Sequence, residues 1–305
     1  MKPKISIIIL TKNVENTIER CINSLPTKQN IIEIIAVDGG STDNTIKILR
    51  KHRIKIIHQK KKGKYLFGYA RNLGIKHARG NIITFLSADC YAEKNWVYEI
   101  INSIRKYDCV GGVQKYPKKY FLDEILQETA KKINPKKNVE GFSTRFSTSN
   151  CACKKEICEK IPFDEDMKAD EDQDFFYRVY LSGYRFLFNP DMKVFHDTES
   201  SFKRYVNRRW RETIGEGILF KKYGIFKKEF IIRSFILLIG PLLLISSLLM
   251  NFFILFVIVS YLCFLIYGMR YFKKISFKIL IYPLYFIPIR IIEAIGMLKG
   301  YLMKK

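Results

Sequence analysis

Acidic residues are scarce in this chain. Asp and Glu total 29 against 53 Lys and Arg, a formal net charge of +24 over 305 residues. That balance favours anionic partners such as phosphates, nucleotides, nucleic acid or an anionic surface. Cysteine is sparse too, and seven in a chain this long cannot make a disulfide scaffold. Pro and Gly number 9 and 17, which excludes collagen-like and low-complexity classes. Neither GxGxxG nor GxxxxGK[ST] occurs, so a dinucleotide fingerprint and a P-loop are disfavoured. What is present is apolar material, 48% hydrophobic and 14% aromatic, enough to build a core.

The charge is unevenly placed. Residues Ser234 to Met269 hold no charged side chain. One straight helix of that length would run about 54 Å at 1.5 Å per residue, and a span needs only about 20 residues. The pattern predicts two spans, about 230–249 and 252–269, with a turn near Ser246–Asn251. A third apolar segment, 275–298, carries Pro283, Pro288, Arg290 and Glu293 and is read as interfacial. Basic residues flank both ends of the span pair, and the turn between is uncharged. By the positive-inside rule the flanks are cytoplasmic. The opening apolar run, Ile5–Leu10, is too short for a secretory signal. The expectation is a multi-pass membrane protein whose N-terminal domain is cytoplasmic and which contacts membrane lipids.

Before the spans the chain alternates. Ile5–Leu10 reads as a buried strand, Asn13–Leu25 as a helix stopped by Pro26, and Ile31–Val37 as a second strand. Asn44–His52 is helical after the Asp38–Asp43 turn, Ile54–His58 is a strand, Tyr69–Ala78 a helix and Ile82–Leu86 a strand. This order predicts an α/β domain with a mostly parallel central sheet and helices on both faces. Ligands of such sheets bind at the carboxyl ends of the strands. Polar residues collect there: Thr11-Lys12-Asn13, Asp38, and Ser87-Ala88-Asp89. A mononucleotide site follows as the natural expectation.

Several motifs stand in order along residues 4–215. Thr11-Lys12-Asn13 with Glu15 follows the first strand. Val37-Asp38-Gly39-Gly40-Ser41-Thr42-Asp43 follows the second. Ala70-Arg71-Asn72-Leu73-Gly74, Ser87-Ala88-Asp89, Ala169-Asp170-Glu171-Asp172, and Gly183-Tyr184-Arg185 with Asn189-Pro190-Asp191 and His196 complete the series. This order resembles the inverting family 2 glycosyltransferases with the GT-A fold. The resemblance implies a nucleotide-sugar donor, UDP-sugar by default, bound by Thr11, Asn13, Glu15, Asp38, Arg71, Asn72, Ser87 and Ala88. It implies Mg²⁺ or Mn²⁺ held by Asp89 where the family has its DxD, with His196 either a further ligand or a structural histidine. Ser87 stands in place of the first acid of that motif.

The residue types suit the chemistry. A nucleoside diphosphate leaves with concentrated charge, which a carboxylate-held cation offsets. Inverting transfer needs a base for the acceptor hydroxyl. The resemblance places Asp172 there and Glu171 beside it as a positioning acid. Arg209-Trp210 matches the end of the QxxRW motif of processive members, but Val206 stands where Gln would be. Arg209 is therefore read either as a diphosphate contact or as part of a basic interfacial helix, since residues 199–233 hold ten basic side chains against four acids. Cys151, Cys153 and Cys158 lack a fourth ligand nearby and read as buried thiols, and Cys90 reads as packing.

The expected organisation is a catalytic domain over 1–198, a basic juxtamembrane helix over 199–229, and a membrane region over 230–305. The expected function is sugar transfer to a lipid-linked or glycan acceptor at the cytoplasmic membrane face, with no nucleic-acid partner. The rival is a non-catalytic membrane scaffold that binds nucleotide-sugar or a partner, which the Ser87 replacement keeps open. A sugar-nucleotide pyrophosphorylase is disfavoured, because Leu10-Thr11-Lys12-Asn13 lacks a glycine-rich start.

Overall fold

The computed structural model describes residues 4–26, 31–60, 67–117, 134–142, 146–167, 169–197, 202–225 and 277–303, with isolated positions between 231 and 266. The chain divides into two compact units, Met1–Thr198 and Glu199–Lys305.

The first unit opens with β1 (Ile5–Thr11), α1 (Glu15–Asn23), β2 (Ile32–Asp38), α2 (Thr45–Lys51), β3 (Lys55–His58), α3 (Phe67–His77) and β4 (Ile82–Leu86). These elements match the expected alternation. β5 (Cys90–Ala92), α4 (Trp96–Ile104), β6 (Cys109–Lys115), β7 (Val139–Glu140), β8 (Asn150–Lys154), α5 (Lys155–Lys160), α6 (Glu171–Leu181) and β9 (Phe186–His196) follow. The nine strands form one sheet in the order β3-β2-β1-β4-β8-β6-β9-β5, with β7 on β9.

The expectation of a mostly parallel sheet is corrected: the sheet is mixed. β1 pairs in parallel with β2 and β4, β2 with β3, and β6 with β9. β8 runs antiparallel to both β4 and β6, while β5 and β7 run antiparallel to β9. Parallel neighbours need a crossover that returns the chain to the starting end of the sheet. The chain enters β8 from the carboxyl end of β4, where Leu86 pairs with Asn150, so β8 runs back down. The consequence matters for function: residues just before β8 lie at the same end of the sheet as Thr11, Asp38 and Ser87.

The central strands are buried on both faces, which accounts for their continuous apolar runs. Ile5, Ile7 and Ile9 of β1 pack with Ile18 and Ile22 of α1 on one face. Ile8 packs on the other with Ala70 and Ile75 of α3 and Phe175 and Phe176 of α6. Gly74 is required for α3 to lie this close, because a Cβ there would sit 2.7 Å from Ile8 Cγ2.

The second unit contains α7 (Phe202–Tyr223) and α8 (Phe277–Leu302). The helices pack closely: a Cβ on Gly217 would meet the Met297 carbonyl oxygen, and one on Gly300 the Ile214 carbonyl oxygen. The membrane expectation is corrected here. Among the described residues no helix is long and apolar enough to cross a membrane. A multi-pass location with a cytoplasmic catalytic domain is therefore not supported. The stretches that suggested it, 230–249 and 252–269, lie outside the described residues apart from isolated positions. From Phe277 on, the segment read as interfacial is part of α8, and its Glu293 is buried against α7.

Candidate active site

Two turns at the carboxyl ends of β1 and β2 are knitted into one rim. Asn13 adopts a left-handed backbone (φ 53°), which turns its amide oxygen to accept from Thr42 N–H at 2.8 Å. Asn13 N–H donates to Ser41 Oγ at 3.0 Å. Glu15 accepts from Asn44 N–H at 2.9 Å, and Asp43 accepts in return from Glu15 N–H at 3.1 Å. Asp38 is 2% exposed and braces the second turn. It accepts from Gly40 and Ser41 N–H, from Ser41 Oγ at 2.5 Å and from Thr11 Oγ1 at 3.2 Å. The expected donor contacts Thr11, Asn13, Glu15 and Asp38 are thus brought together, with their side chains engaged in shaping the rim.

α3 anchors a second part of the site. Asn72 donates to Phe163 O at 2.9 Å and accepts from Phe163 N–H at 2.9 Å, clamping the chain that leads to α6. Arg71 is buried and forms an ion pair with Glu171, the first residue of α6. Its other guanidinium arm donates to Thr148 Oγ1 at 2.6 Å. Asp170 precedes the helix in a left-handed conformation (φ 53°), a turn that sets Glu171 and Asp172 side by side.

Asp172 has different surroundings from its neighbour. It accepts from Thr148 N–H at 3.2 Å, Thr148 Oγ1 at 3.3 Å and Gln173 N–H at 2.9 Å. Burial first, and then the Glu171 charge, push its carboxyl above the usual carboxylate range. Of the two acids, Glu171 is held by an ion pair. Asp172 is oriented by hydrogen bonds and its carboxyl is raised, which suits a proton acceptor.

The third part lies at the end of β4. Ser87 Oγ donates to Ser149 Oγ at 2.9 Å. Ala88 is buried in the core and has only its backbone to offer a ligand. Asp89 Oδ2 lies 3.2 Å from His196 Nε2. β5 pairs antiparallel with β9 so that Cys90 stands opposite His196. Asp89, Cys90 and His196 offer ligand atoms within 4.8 Å of one another. His196 Nδ1 is buried with no hydrogen-bond partner among the described residues.

Sequence reasoning missed Ser147-Thr148-Ser149. This run joins the parts: Ser149 meets Ser87, and Thr148 meets both Arg71 and Asp172. A hydroxyl-rich tripeptide ahead of an apolar strand was the available signal. Cys90, read as packing, is buried in the core cluster, where the β5–β9 register sets it opposite His196.

Arg209 lies in the second unit. It donates to Glu293 at 2.8 Å and to Glu212, with Glu216 at 3.8 Å. Any diphosphate would compete with three carboxylates for this guanidinium.

Comparison with known proteins identifies the family and the fold. The family model described as Glycosyl transferase family 2 matches residues 6–162. Glycosyltransferase GlyA of Streptococcus pneumoniae is 26% identical over 69% of this chain, but the match spans only 33% of GlyA. A Methanococcus voltae protein is 28% identical over 72% of this chain and 74% of its own length. It is named dolichyl N-acetyl-alpha-D-glucosaminyl phosphate 3-beta-D-2,3-diacetamido-2,3-dideoxy-beta-D-glucuronosyltransferase. The crystal structure of S. aureus TarS 1-349 in complex with UDP-GlcNAc superposes with a TM-score of 0.53 at 20% identity. That match covers 71% of this chain and 66% of TarS 1-349, and it shows the fold, the GT-A α/β architecture with a mixed sheet. With the family model spanning more than half of the sequence, the chain belongs to glycosyl transferase family 2.

Proposed function

We propose that this protein is an inverting glycosyltransferase that moves a sugar from a nucleoside-diphosphate donor to a hydroxyl acceptor, with Asp172 as general base. The carrying observation is the unequal treatment of two adjacent acids. Arg71 neutralises Glu171, while Asp172 keeps a raised pKa and a hydrogen-bonded orientation. In the reaction the acceptor oxygen bonds to the anomeric carbon as the carbon–oxygen bond to the diphosphate breaks. The electron pair leaves with the diphosphate, and the acceptor proton passes to Asp172.

The other residues take supporting roles. Thr11, Asn13, Glu15 and Asp38 fix the rim on which the nucleoside lies. Arg71 and Asn72 hold the α6 entrance in place, and Glu171 aligns Asp172. Ser87 and the Ala88 backbone border the diphosphate. Asp89 and His196 suit a divalent cation, because a carboxylate oxygen and an imidazole nitrogen converge there. When bound, such an ion offsets the charge of the departing diphosphate.

UDP-sugar is the favoured donor by the family resemblance. A glycan or lipid-linked acceptor is supported by the dolichyl-linked acceptor in the name of the Methanococcus relative. The test is a transfer assay with UDP-, GDP- and dTDP-sugars on lipid-phosphate-linked and soluble glycan acceptors. Product with inverted anomeric configuration from one donor supports the reading. Nucleotide-sugar binding without turnover on any acceptor favours a binding protein instead.

A further inference from the structure

A cleft of about 430 Å³ opens at the end of the sheet away from Thr11 and Asp38. Its walls come from Lys4 just before β1, the Arg79–Asn81 turn between α3 and β4, the end of α4, and the junction of β8 and α5. Five cations line it, Lys4, Arg79, Arg105, Lys154 and Lys155, against one acid, Glu156. They come from four separate places in the sequence, so no single basic run accounts for the charge. Nearby acids use up only part of it. Arg79 pairs with Glu33 through Nε, which leaves the two terminal guanidinium nitrogens. Lys154 pairs with Asp108 at 2.6 Å and Lys155 with Glu159 at 3.2 Å. Lys4 and Arg105 are exposed and have no side-chain partner among the described residues. Like charges around one concavity repel, and an anion in the cleft relieves that repulsion. The remaining wall is apolar: Ile82 and Ile104 are buried, and Ile101 packs beside them.

We propose that this cleft binds a small phosphorylated metabolite of mononucleotide size, at a site separate from the donor rim. Lys4 and Arg105 hold the phosphate oxygens, because their donors are uncommitted. Arg79, Lys154 and Lys155 add to the positive field around it. The isoleucine wall takes the carbon body of the ligand, which a bare phosphate lacks. The volume falls in the range of about 300–1,000 Å³ found for small-molecule sites, and an apolar wall with a few convergent polar groups is their usual make-up. Lys4 and Ile82 stand at the amino ends of β1 and β4, whereas Thr11 and Ser87 stand at the carboxyl ends of the same strands. The two sites are therefore at opposite ends of the sheet, and the inference does not depend on which reaction the first one performs.

The test is calorimetric titration of the full chain with AMP and with inorganic phosphate, alongside the double variant Lys4→Gln with Arg105→Gln. AMP should bind the wild-type chain more tightly than phosphate does. The double variant should weaken AMP binding about tenfold or more, since losing a hydrogen bond to a charged group costs about that much. Hydrogen exchange of the wild-type chain, which needs no variant to fold, should slow at residues 79–82 and 154–156 when AMP is added. No binding of either probe overturns the proposal. So does undiminished AMP binding by the folded variant, or exchange that slows at residues 38–44 in place of the cleft. Phosphate binding as tightly as AMP overturns the organic ligand. The variant should bind UDP as the wild-type chain does, because neither residue lies at the donor rim. A matching loss of UDP affinity in the variant overturns the separation of the two sites.

Discussion

Arg71 on α3 reaches across 100 residues of sequence to pair with Glu171 at the first position of α6. The pair is nearly closed to solvent, with side-chain exposures of 10% and 7%. Removing one partner of such a pair leaves a buried charge, a loss of about 3–5 kcal/mol. Arg71→Ala should lower unfolding stability by that order in urea. Arg71→Lys keeps the charge but loses the fork that also reaches Thr148, so it should recover only part of the stability.

The same pair sets a pH prediction. Asp172 must be ionised to accept a proton, so activity should rise with pH through its raised pKa. The acid limb of kcat against pH should therefore lie above the ordinary aspartate range. The Glu171 charge is one cause of the rise. Glu171→Gln removes that charge while Arg71 remains, so the acid limb should move to lower pH. A limb that stays in place would remove Glu171 from this role.

Much of this arrangement was legible in the sequence, for physical reasons. β1, β2 and β4 are buried on both faces, and a strand covered on both sides has no solvent face on which to alternate polar residues, so it reads as an unbroken apolar run. Glu171 and Asp172 stood out because acids at a helix start followed the other motifs in order. β8 and its antiparallel pairing were harder to see, because Cys151-Ala152-Cys153 carries small side chains and register does not appear in composition. The contacts of Thr148 depend on which strand end meets which loop, and no local pattern encodes that. The apolar stretch 234–269 led to a membrane expectation that no helix among the described residues supports. Spacing also gave no sign that the Glu15 and Asn13 side chains would be engaged by the neighbouring turn.

Ser87 allows a gain-of-function test. Its hydroxyl faces Ser149 beside the proposed cation corner. Ser87→Asp adds a hard oxygen ligand, so Mn²⁺ and Mg²⁺ affinity should rise about tenfold or more, in line with the role of carboxylate count in such sites. Calorimetry with each ion, at fixed pH, reads this directly. Unchanged affinity in a folded variant would place the cation away from Ser87.

The packing of α3 has its own check. A Cβ on Gly74 would sit 2.7 Å from Ile8 Cγ2 and 3.2 Å from Val37 Cγ2, both on buried strands. Gly74→Ala should cost about 1–3 kcal/mol by overpacking, despite the higher helix propensity of alanine. Thermal unfolding of the variant gives the answer. A neutral or stabilising result would mean that α3 can move away from β1.

The central claim is that Asp172 takes the acceptor proton. The most direct test compares wild type with Asp172→Asn for turnover and for donor affinity in the same preparation. The account predicts a loss of about 10²–10⁴ in kcat, with binding of the nucleotide-sugar unchanged within a few fold. Turnover within a few fold of wild type would contradict it.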